Sequence, residues 1–299
     1  FHMEKQKIKA VFYSFLVSLL FVLHFYVAKD VLKSVHPNIL GGFRGLVGGI
    51  LIIFFAARGA DFSEQKKFLK YFLLIAFFGF FINQILFLGG LKKTSALNTS
   101  IILNTIPVTT ALIAMLFRVE SFDWRKLGGA ILGFSMVTIL ASSTKSGGSI
   151  SWGDILIFLS VVCLGIGTTF QKVAMKKGAF PALISGTMLL FGGMALCLIS
   201  LNKVPELFNY GFGSGRQAFN VIYEVIFSTA LTYYLSLEAL KILAPSQSMI
   251  FIYAQPLMTS TIDIIFFNKF PSPIIIPVFF GVCISGWLVI GGRQKSSQT

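Results

Sequence analysis

Long apolar runs separated by short polar links dominate the chain. About ten of these runs could cross a hydrocarbon core of about 30 Å as helices that rise about 1.5 Å per residue. They cover residues 8–28, 38–57, 68–90, 95–117, 126–143, 152–174, 181–200, 217–239, 244–267 and 273–291. We therefore predict an all-α integral membrane protein with about ten transmembrane helices.

An internal repeat with an offset of 149 residues divides the chain in two. The first copy contains Leu91, Lys92, Pro107 and Phe117, and the second contains Leu240, Lys241, Pro256 and Phe266. The repeat predicts two five-helix units, 1–146 and 147–299, within one membrane domain. Because five is an odd number, the second unit enters the membrane from the opposite side, so the repeats are predicted to be inverted. Duplicated membrane proteins of this kind are typically transporters.

Composition and charge agree with a membrane location. Hydrophobic residues make up 55% of the chain and charged residues 12%, whereas soluble proteins carry about 25% charged residues. The net charge is +14, but the basic residues lie in short clusters between apolar runs, which argues against nucleic acid as a partner. Basic residues favour the cytoplasmic side by about two to one if both termini lie in the cytoplasm. We expect a multi-pass protein of the inner (cytoplasmic) membrane.

A series of short motifs then resembles the drug/metabolite transporter superfamily, specifically its EamA-type ten-helix members. Residues 21–29 resemble the family's W-G-x-N-F-x-x-x-K, with Phe21 and His24 in place of Trp and Asn. The remaining matches are Pro37 with Arg44, residues 90–92 with Pro107 and Glu120, residues 152–154, and residues 239–241 with Pro245 and Pro256. In order, these motifs cover nearly the whole chain.

The resemblance implies a helical bundle around a central cavity and a secondary transporter that works by alternating access. Its implied substrate is a small organic metabolite, such as an amino acid, an amine or a drug-like solute. Export, either proton-coupled or facilitative, is the first expectation, and import or exchange of a nucleotide derivative or vitamin is the alternative. The expected partners are this substrate, the lipid bilayer and protons, and the chain acts as a monomer or a homodimer.

Polar and ionisable residues inside the apolar runs are the candidates for the cavity wall, because such residues are costly in lipid unless they face the bundle interior. They are His24, Arg44, Asn83, Gln84, Asn98, Glu224, Tyr233, Tyr234, Tyr253 and Gln255. Glu224 could carry a proton, neutralise a cationic substrate or pair with a basic residue. Arg44 could bind an anionic group or hold helices together, and His24 could relay a proton or make an ordinary hydrogen bond.

Pro107 and Pro256 occupy equivalent places in the two repeats. Proline removes a backbone hydrogen bond and bends a helix, so both positions are predicted to be bends that shape the cavity. The sequence leaves open whether they are moving hinges or static kinks.

Other function classes find little support in the sequence. The chain has three histidines and three cysteines, without H-E-x-x-H or CxxC spacing, so we expect no catalytic residues, no metal site and no cofactor. The chain also lacks a P-loop motif, which argues against direct use of ATP. A membrane-embedded enzyme and a purely structural bundle stay as remote alternatives.

The predicted topology can be tested by cysteine labelling. In Ser149→Cys, the link between the two repeats should react with a membrane-impermeant thiol reagent added outside the cell. In Ser297→Cys, the tail should react only after the membrane is permeabilised. Labelling of both sites from the same side would contradict the inverted arrangement.

Overall fold

A computed structural model describes residues 2–91, 93, 102–142, 151–255 and 274–291, together with isolated positions between 258 and 265. Regular structure in these ranges is helical. The elements are α1 His2–Val31, α2 Pro37–Ala56, α3 Phe62–Leu91, α4 Ile106–Leu116, α5 Trp124–Ser142, α6 Trp152–Lys176, α7 Pro181–Leu198, α8 Val204–Gly211, α9 Gly215–Ile242, α10 Pro245–Met249 and α11 Ile275–Gly291. A 3₁₀ segment, Ile250–Ala254, continues α10.

The prediction of a helical membrane protein is confirmed. Within the described ranges, α1, α2, α3, α6, α7 and α9 are long and apolar enough to cross a bilayer, and α4 and α11 are shorter apolar helices. The count of ten spans stays a prediction, because the fourth and ninth predicted spans run through residues outside the described ranges.

The helices differ from the predicted apolar runs in two places: α3 begins earlier than its run, and the short helix α8 forms between two runs. Helix α3 begins at Phe62 rather than at residue 68, since the Asp61 carboxylate accepts hydrogen bonds from the backbone N–H groups of Ser63 and Glu64. Helix α8 lies in a stretch predicted to be a link. It is too short to give a transmembrane signal, but its Leu207 and Tyr210 pack against the C-terminal end of α1 and the N-terminal end of α2.

Both α3 and α9 contain a π-helical segment. These segments are Phe77–Ile82 and Ile226–Leu231, and they lie 149 residues apart, which is the offset of the sequence repeat. In α9 the hydroxyls of Ser228 and Thr229 both donate to the backbone carbonyl of Glu224, at 2.9 and 2.7 Å. Single π turns inside α-helices are frequent at functional sites.

Glycines let α2 and α7 lie in close contact along their lengths. A Cβ on Gly193 would come within 2.4 Å of Leu46 N, and one on Gly49 within 2.6 Å of Leu190 N. Small residues at helix interfaces provide the close van der Waals packing that holds membrane helices together. The fully buried ring of Phe80, in the π segment of α3, fills the notch between Gly45 and Gly192.

The same pattern of close approach recurs between other helices. Gly79 and Gly90 of α3 face Gly167 and Gly153 of α6, and Gly133 of α5 lies close to α11. Helix α1 packs against α9, and α4 packs against α6 and α10. The result is a bundle in which α1, α2, α3, α6 and α9 surround one interior volume.

The glycine contact between α2 and α7 gives a stability prediction. Gly193→Ala would press a methyl group onto backbone atoms of α2, so we expect a loss of about 1–3 kcal/mol of unfolding free energy. Gly286→Ala is the matched control, because a Cβ at Gly286 meets no atom within 4 Å. Thermal unfolding of the purified protein should show a lower midpoint for the first variant only; equal midpoints would contradict this role of the interface.

Candidate functional site

A cavity of about 180 Å³ lies inside the bundle, between α1, α2, α3, α6, α9 and α10. Its wall is mainly apolar with a limited set of polar side chains, as small-molecule sites commonly are. Six of the predicted candidates line it: His24, Arg44, Asn83, Gln84, Tyr233 and Gln255.

A buried ionic cluster of three side chains closes one wall of the cavity. Glu224 is 0% exposed, Arg44 6% and His24 8%. Arg44 Nη1 donates to Glu224 Oε2 at 3.0 Å, and His24 Nδ1 lies 2.9 and 2.8 Å from the two carboxylate oxygens. Glu224 does not itself reach the cavity surface; Arg44 and His24 lie between its carboxylate and the cavity.

The hydrogen-bond pattern assigns the imidazole proton in this arrangement. Since Glu224 is a hydrogen-bond acceptor, His24 donates to it from Nδ1–H. In a neutral imidazole, Nε2 is then the unprotonated nitrogen. Arg44 Nη1 lies at nearly the same distance from both ring nitrogens, 3.3 Å from Nε2 and 3.4 Å from Nδ1. Ser228 Oγ also lies 3.1 Å from Glu224 Oε2, so its single proton is shared between this carboxylate and the Glu224 backbone carbonyl at 2.9 Å. The cluster thus balances one carboxylate against one guanidinium, with a histidine that can take a second positive charge.

Three helices bring the cluster to the same depth. His24 lies seven residues before the end of α1, Arg44 seven residues after the start of α2, and Glu224 nine residues after the start of α9. At about 1.5 Å per residue, each side chain is about 10–14 Å from its helix end. Because these three helix ends lie on the same side of the bundle, the charges meet about two to three helical turns inside it, where an unpaired carboxylate would be costly.

A chain of amides connects the ionic cluster to α6. Arg44 Nη2 lies 3.4 Å from Gln84 Oε1, and Gln84 Nε2 lies 3.4 Å from Asn83 Oδ1. Asn83 Nδ2 donates to the carbonyl oxygen of Ser160 at 2.8 Å. Asn83 and Gln84 directly follow the π segment of α3, so this segment sets the direction in which both amides point.

Two of the predicted tyrosines lie away from the cavity, whereas Tyr233 lies on its wall. Tyr253 is fully buried, its hydroxyl donates to the carbonyl of Ala130 at 2.7 Å, and its ring covers Gly133 of α5. Tyr234 packs against the core formed by α2, α3 and α7. Neighbouring tyrosines on a helix point in different directions, and the apolar pattern alone did not separate them.

The predicted bend at Pro107 lies where the fourth segment changes direction. Residues 102 and 103 are helical, a turn follows at 104–105, and α4 resumes at Ile106 with Pro107 in its first turn. Asn98 and Pro256, the other candidates of the two symmetric segments, lie outside the described residues.

Sequence analysis missed the hydroxyl side chains that complete the cavity wall. They are Ser14, Ser18, Ser160, Thr168 and Ser236, with the amide of Gln171. The spacing of four residues between Ser14 and Ser18 places this pair on one face of α1. This spacing was a usable signal, but single serines and threonines in membrane helices are common helix contacts and were not selected.

Polar contacts also tie the helices together at the end of the bundle opposite the start of α2. Glu120 accepts from Lys126 Nζ at 3.2 Å, from Ser246 N at 2.9 Å and from Ser246 Oγ at 2.7 Å. Lys172 of α6 donates to the carbonyls of Leu243, at 3.0 Å, and of Leu240 at the end of α9. These contacts join the α4–α5 link, α6 and the α9–α10 link.

Polar contacts also join the helices at the end of the bundle where α2 and α9 begin. Asn220 Nδ2 donates to Asp30 Oδ2 at 3.1 Å and to the Tyr210 hydroxyl at 3.1 Å, which joins α1, α8 and α9. The hydrogen bond from Lys33 holds the pKa of the Asp30 carboxyl below its usual value. Within the described part of the chain, no group of three His, Cys, Asp or Glu side chains has the arrangement of a metal site.

Comparison with known proteins identifies the family. The EamA-like transporter family matches residues 8–142 and again residues 151–292. This chain belongs to the EamA-like transporter family, and it is a multi-pass membrane transporter of small solutes.

Individual relatives agree with this assignment. Uncharacterized transporter YyaM of Bacillus subtilis (strain 168) is 25% identical over 247 residues, which cover 80% of each chain. The S-adenosylmethionine/S-adenosylhomocysteine transporter of Chlamydia muridarum is 22% identical, over 78% of this chain and 76% of that protein. WAT1-related protein At3g02690, chloroplastic, of Arabidopsis thaliana is 28% identical over 69% of this chain, and the match spans about half (51%) of the plant protein.

A solved crystal structure has the same fold. It superposes with a TM-score of 0.76 at 14% sequence identity, and the match covers 93% of this chain and 95% of the other.

The buried ion pair predicts a specific pattern of stability. Arg44→Gln leaves Glu224 buried without its guanidinium, so we expect a loss of about 3–5 kcal/mol of unfolding free energy. Adding Glu224→Gln to Arg44→Gln should recover part of that loss, because no unpaired charge then remains. The exposed pair Lys33–Asp30 is the control, and Lys33→Gln should cost at most about 1 kcal/mol. Chemical denaturation of the wild type, the two single variants and the double variant measures these free energies. A double variant that is the least stable of the four would contradict this role of the ion pair.

Proposed function

We propose that this protein is a secondary transporter that moves a small organic metabolite across the membrane by alternating access. The observation that carries the proposal is the cavity itself, where Arg44 and His24 line a mainly apolar volume about 10 Å inside the ends of their helices. A membrane protein retains costly buried charges at such a depth mainly for function. The transporter names of the relatives favour transport over catalysis.

The helix pairs support two inverted units, 1–146 and 147–299. In this arrangement α1 corresponds to α6, α2 to α7, α3 to α9, α4 to α10 and α5 to α11. The contacts of α1 with α9 and of α6 with α3 are then equivalent, and the α2–α7 and α5–α11 pairs each lie across the symmetry axis. Such symmetry lets the two halves exchange conformations, so that the cavity opens first to one side and then to the other.

The proposal includes the following finer assignments. Both termini lie in the cytoplasm, the protein is located in the inner (cytoplasmic) membrane, and the direction is export. Protons are the coupling ion, since His24 can carry a proton beside Glu224. The bend at Pro107 is a hinge of the fourth segment, and Pro256, which lies outside the described residues, is the equivalent position of the second repeat. The transporter functions as a monomer or a homodimer.

A second candidate is import or exchange of a nucleotide derivative. The Chlamydia muridarum relative is named for S-adenosylmethionine and S-adenosylhomocysteine. The aromatic side chains of Phe21, Phe87 and Tyr233 in the cavity wall could stack on a planar base. A thermal-shift screen of amino acids, amines, organic acids, nucleosides and S-adenosyl compounds separates the two candidates, because a true ligand stabilises the native state by mass action.

Filling the cavity should stop transport. Ser248 lines the cavity and its hydroxyl donates to the carbonyl of Pro245 at 2.9 Å. Ser248→Phe should reduce counterflow of a solute found in the screen by about tenfold or more in proteoliposomes, since the ring occupies the volume that the solute needs.

Ser135→Phe provides the matched control. Ser135 lies on α5, away from the cavity, and its hydroxyl donates to Ile131 O at 2.9 Å, so the local geometry is similar. This variant should keep its flux, and both proteins should elute as folded species in size-exclusion chromatography. Unchanged counterflow in Ser248→Phe would refute passage through this cavity.

A further inference from the structure

We infer that two N–H groups of Arg44, those on Nε and Nη2, bind the carboxylate of the transported solute, and that binding is accompanied by uptake of one proton on His24. This inference rests on the proposed transport function and specifies the chemical class of the solute: an organic monocarboxylic acid without a charged amino group.

The side of the Arg44 guanidinium group that carries Nε and Nη2 has few hydrogen-bond acceptors. Nη1 donates to Glu224 at 3.0 Å. Nη2 lies 3.4 Å from Gln84 Oε1, beyond the usual range of about 2.7–3.2 Å. Nε is buried and has no hydrogen-bond acceptor among the described residues. The Nε–H and an Nη2–H point to the same side of the planar group, so they form a fork of the kind that binds a carboxylate through two oxygens.

The position of Arg44 makes this fork a candidate binding group. Its side chain is more than nine-tenths buried, and it lines the cavity. A buried charged donor without an acceptor is costly, and a carboxylate in the cavity would supply that acceptor. Amines lack this advantage, because Arg44 would repel them and Glu224, which is 0% exposed, cannot reach them.

The charge of the cluster explains why a proton should accompany the carboxylate. Arg44 and Glu224 already neutralise each other. A bound carboxylate would leave one net negative charge in a poorly solvated place, which is unfavourable. Protonation of His24 restores neutrality, and the resulting imidazolium stays 2.8 Å from Glu224 Oε2. The imidazolium also lies 3.3 Å from Arg44 Nη1, and the bound carboxylate offsets the repulsion between these two positive charges. By linkage, protons and the carboxylate then strengthen each other's binding.

No other charged group among the cavity-lining residues competes for this role. Helix α2 contributes Arg44 and α9 contributes Glu224 behind the wall, with the phenol of Tyr233 on it. The cavity-lining polar residues of α1, α3, α6 and α10 other than His24 are serines, threonine, asparagine and glutamines, which carry no charge.

The shape of the cavity sets the rest of the solute. Phe21, Phe87 and Tyr233 contribute aromatic surface to a mainly apolar wall, so a monocarboxylate with an apolar or aromatic body fits better than a phosphate ester. A phosphate dianion would need further cations, and Arg44 is the one permanent cation among the described residues of the wall.

The test is a thermal-shift titration of the full-length protein in lipid nanodiscs. The probes are phenylacetate and benzoate, each compared with its neutral amide. We expect at least one carboxylate to stabilise the protein and its amide not to do so. The affinity of that carboxylate should increase by up to about tenfold per pH unit between about pH 8 and pH 6, because one proton is taken up.

Two variants test carboxylate binding by Arg44 and proton uptake by His24 separately. Arg44→Lys keeps a cation beside Glu224 but lacks the fork, so carboxylate affinity should fall by about ten- to a hundredfold. His24→Asn cannot take up a proton, so the pH dependence should flatten. Ser135→Ala on α5 is the control and should leave both properties unchanged. If Arg44→Lys does not fold, the double variant Arg44→Gln with Glu224→Gln, which removes both charges, replaces it.

Several outcomes would overturn the inference. They are amides that bind as tightly as their carboxylates, full carboxylate affinity in Arg44→Lys, an unchanged pH dependence in His24→Asn, and a panel in which no carboxylate stabilises the protein. Counterflow in proteoliposomes distinguishes an error in the class of solute from an error in the proposed transport function. Counterflow of an amine or a nucleoside without carboxylate binding would overturn the inference alone, whereas carboxylate binding without counterflow of any solute would overturn the transport function.

Discussion

The buried carboxylate of Glu224 is the constraint around which the site is organised. A single uncompensated carboxylate at this depth costs several kcal/mol, so the fold must supply its counter-charge. Arg44 from α2 and His24 from α1 do so at 3.0 and 2.8 Å. Three helices are thereby held in one register, and the polar groups that face the cavity are fixed by the same contacts.

Close helix packing makes this register possible. Glycines on α2 and α7 allow their backbones to approach, and the Phe80 ring fills the notch they leave. The π segment of α3 ends directly before Asn83 and Gln84, and the π segment of α9 begins two residues after Glu224, whose backbone carbonyl accepts a hydrogen bond from the Thr229 hydroxyl. Rigid packing and one local irregularity per helix together position a polar site inside an apolar bundle.

Much of the site could be predicted from the sequence, because a polar residue in an apolar helix is conspicuous. His24, Arg44, Gln84 and Glu224 were selected in this way, and the structure brings all four together. The same rule failed for Tyr253, which packs against Gly133 instead. It also overlooked the serines of the wall, because a hydroxyl can bond its own helix backbone and therefore gives no clear signal of its direction.

The sequence by itself determined the class of protein. Long apolar runs require membrane helices, since backbone polar groups in lipid must be satisfied internally, and the repeat with its motifs indicated the family. Only the tertiary structure decided which charges are partners, because His24 and Glu224 are 200 residues apart in the chain and no local pattern encodes such a contact. It also showed that Glu224 lies behind Arg44 rather than on the cavity surface. The physical reason is that a buried charge is defined by its neighbours in space, while periodicity along a helix reports only which face is apolar.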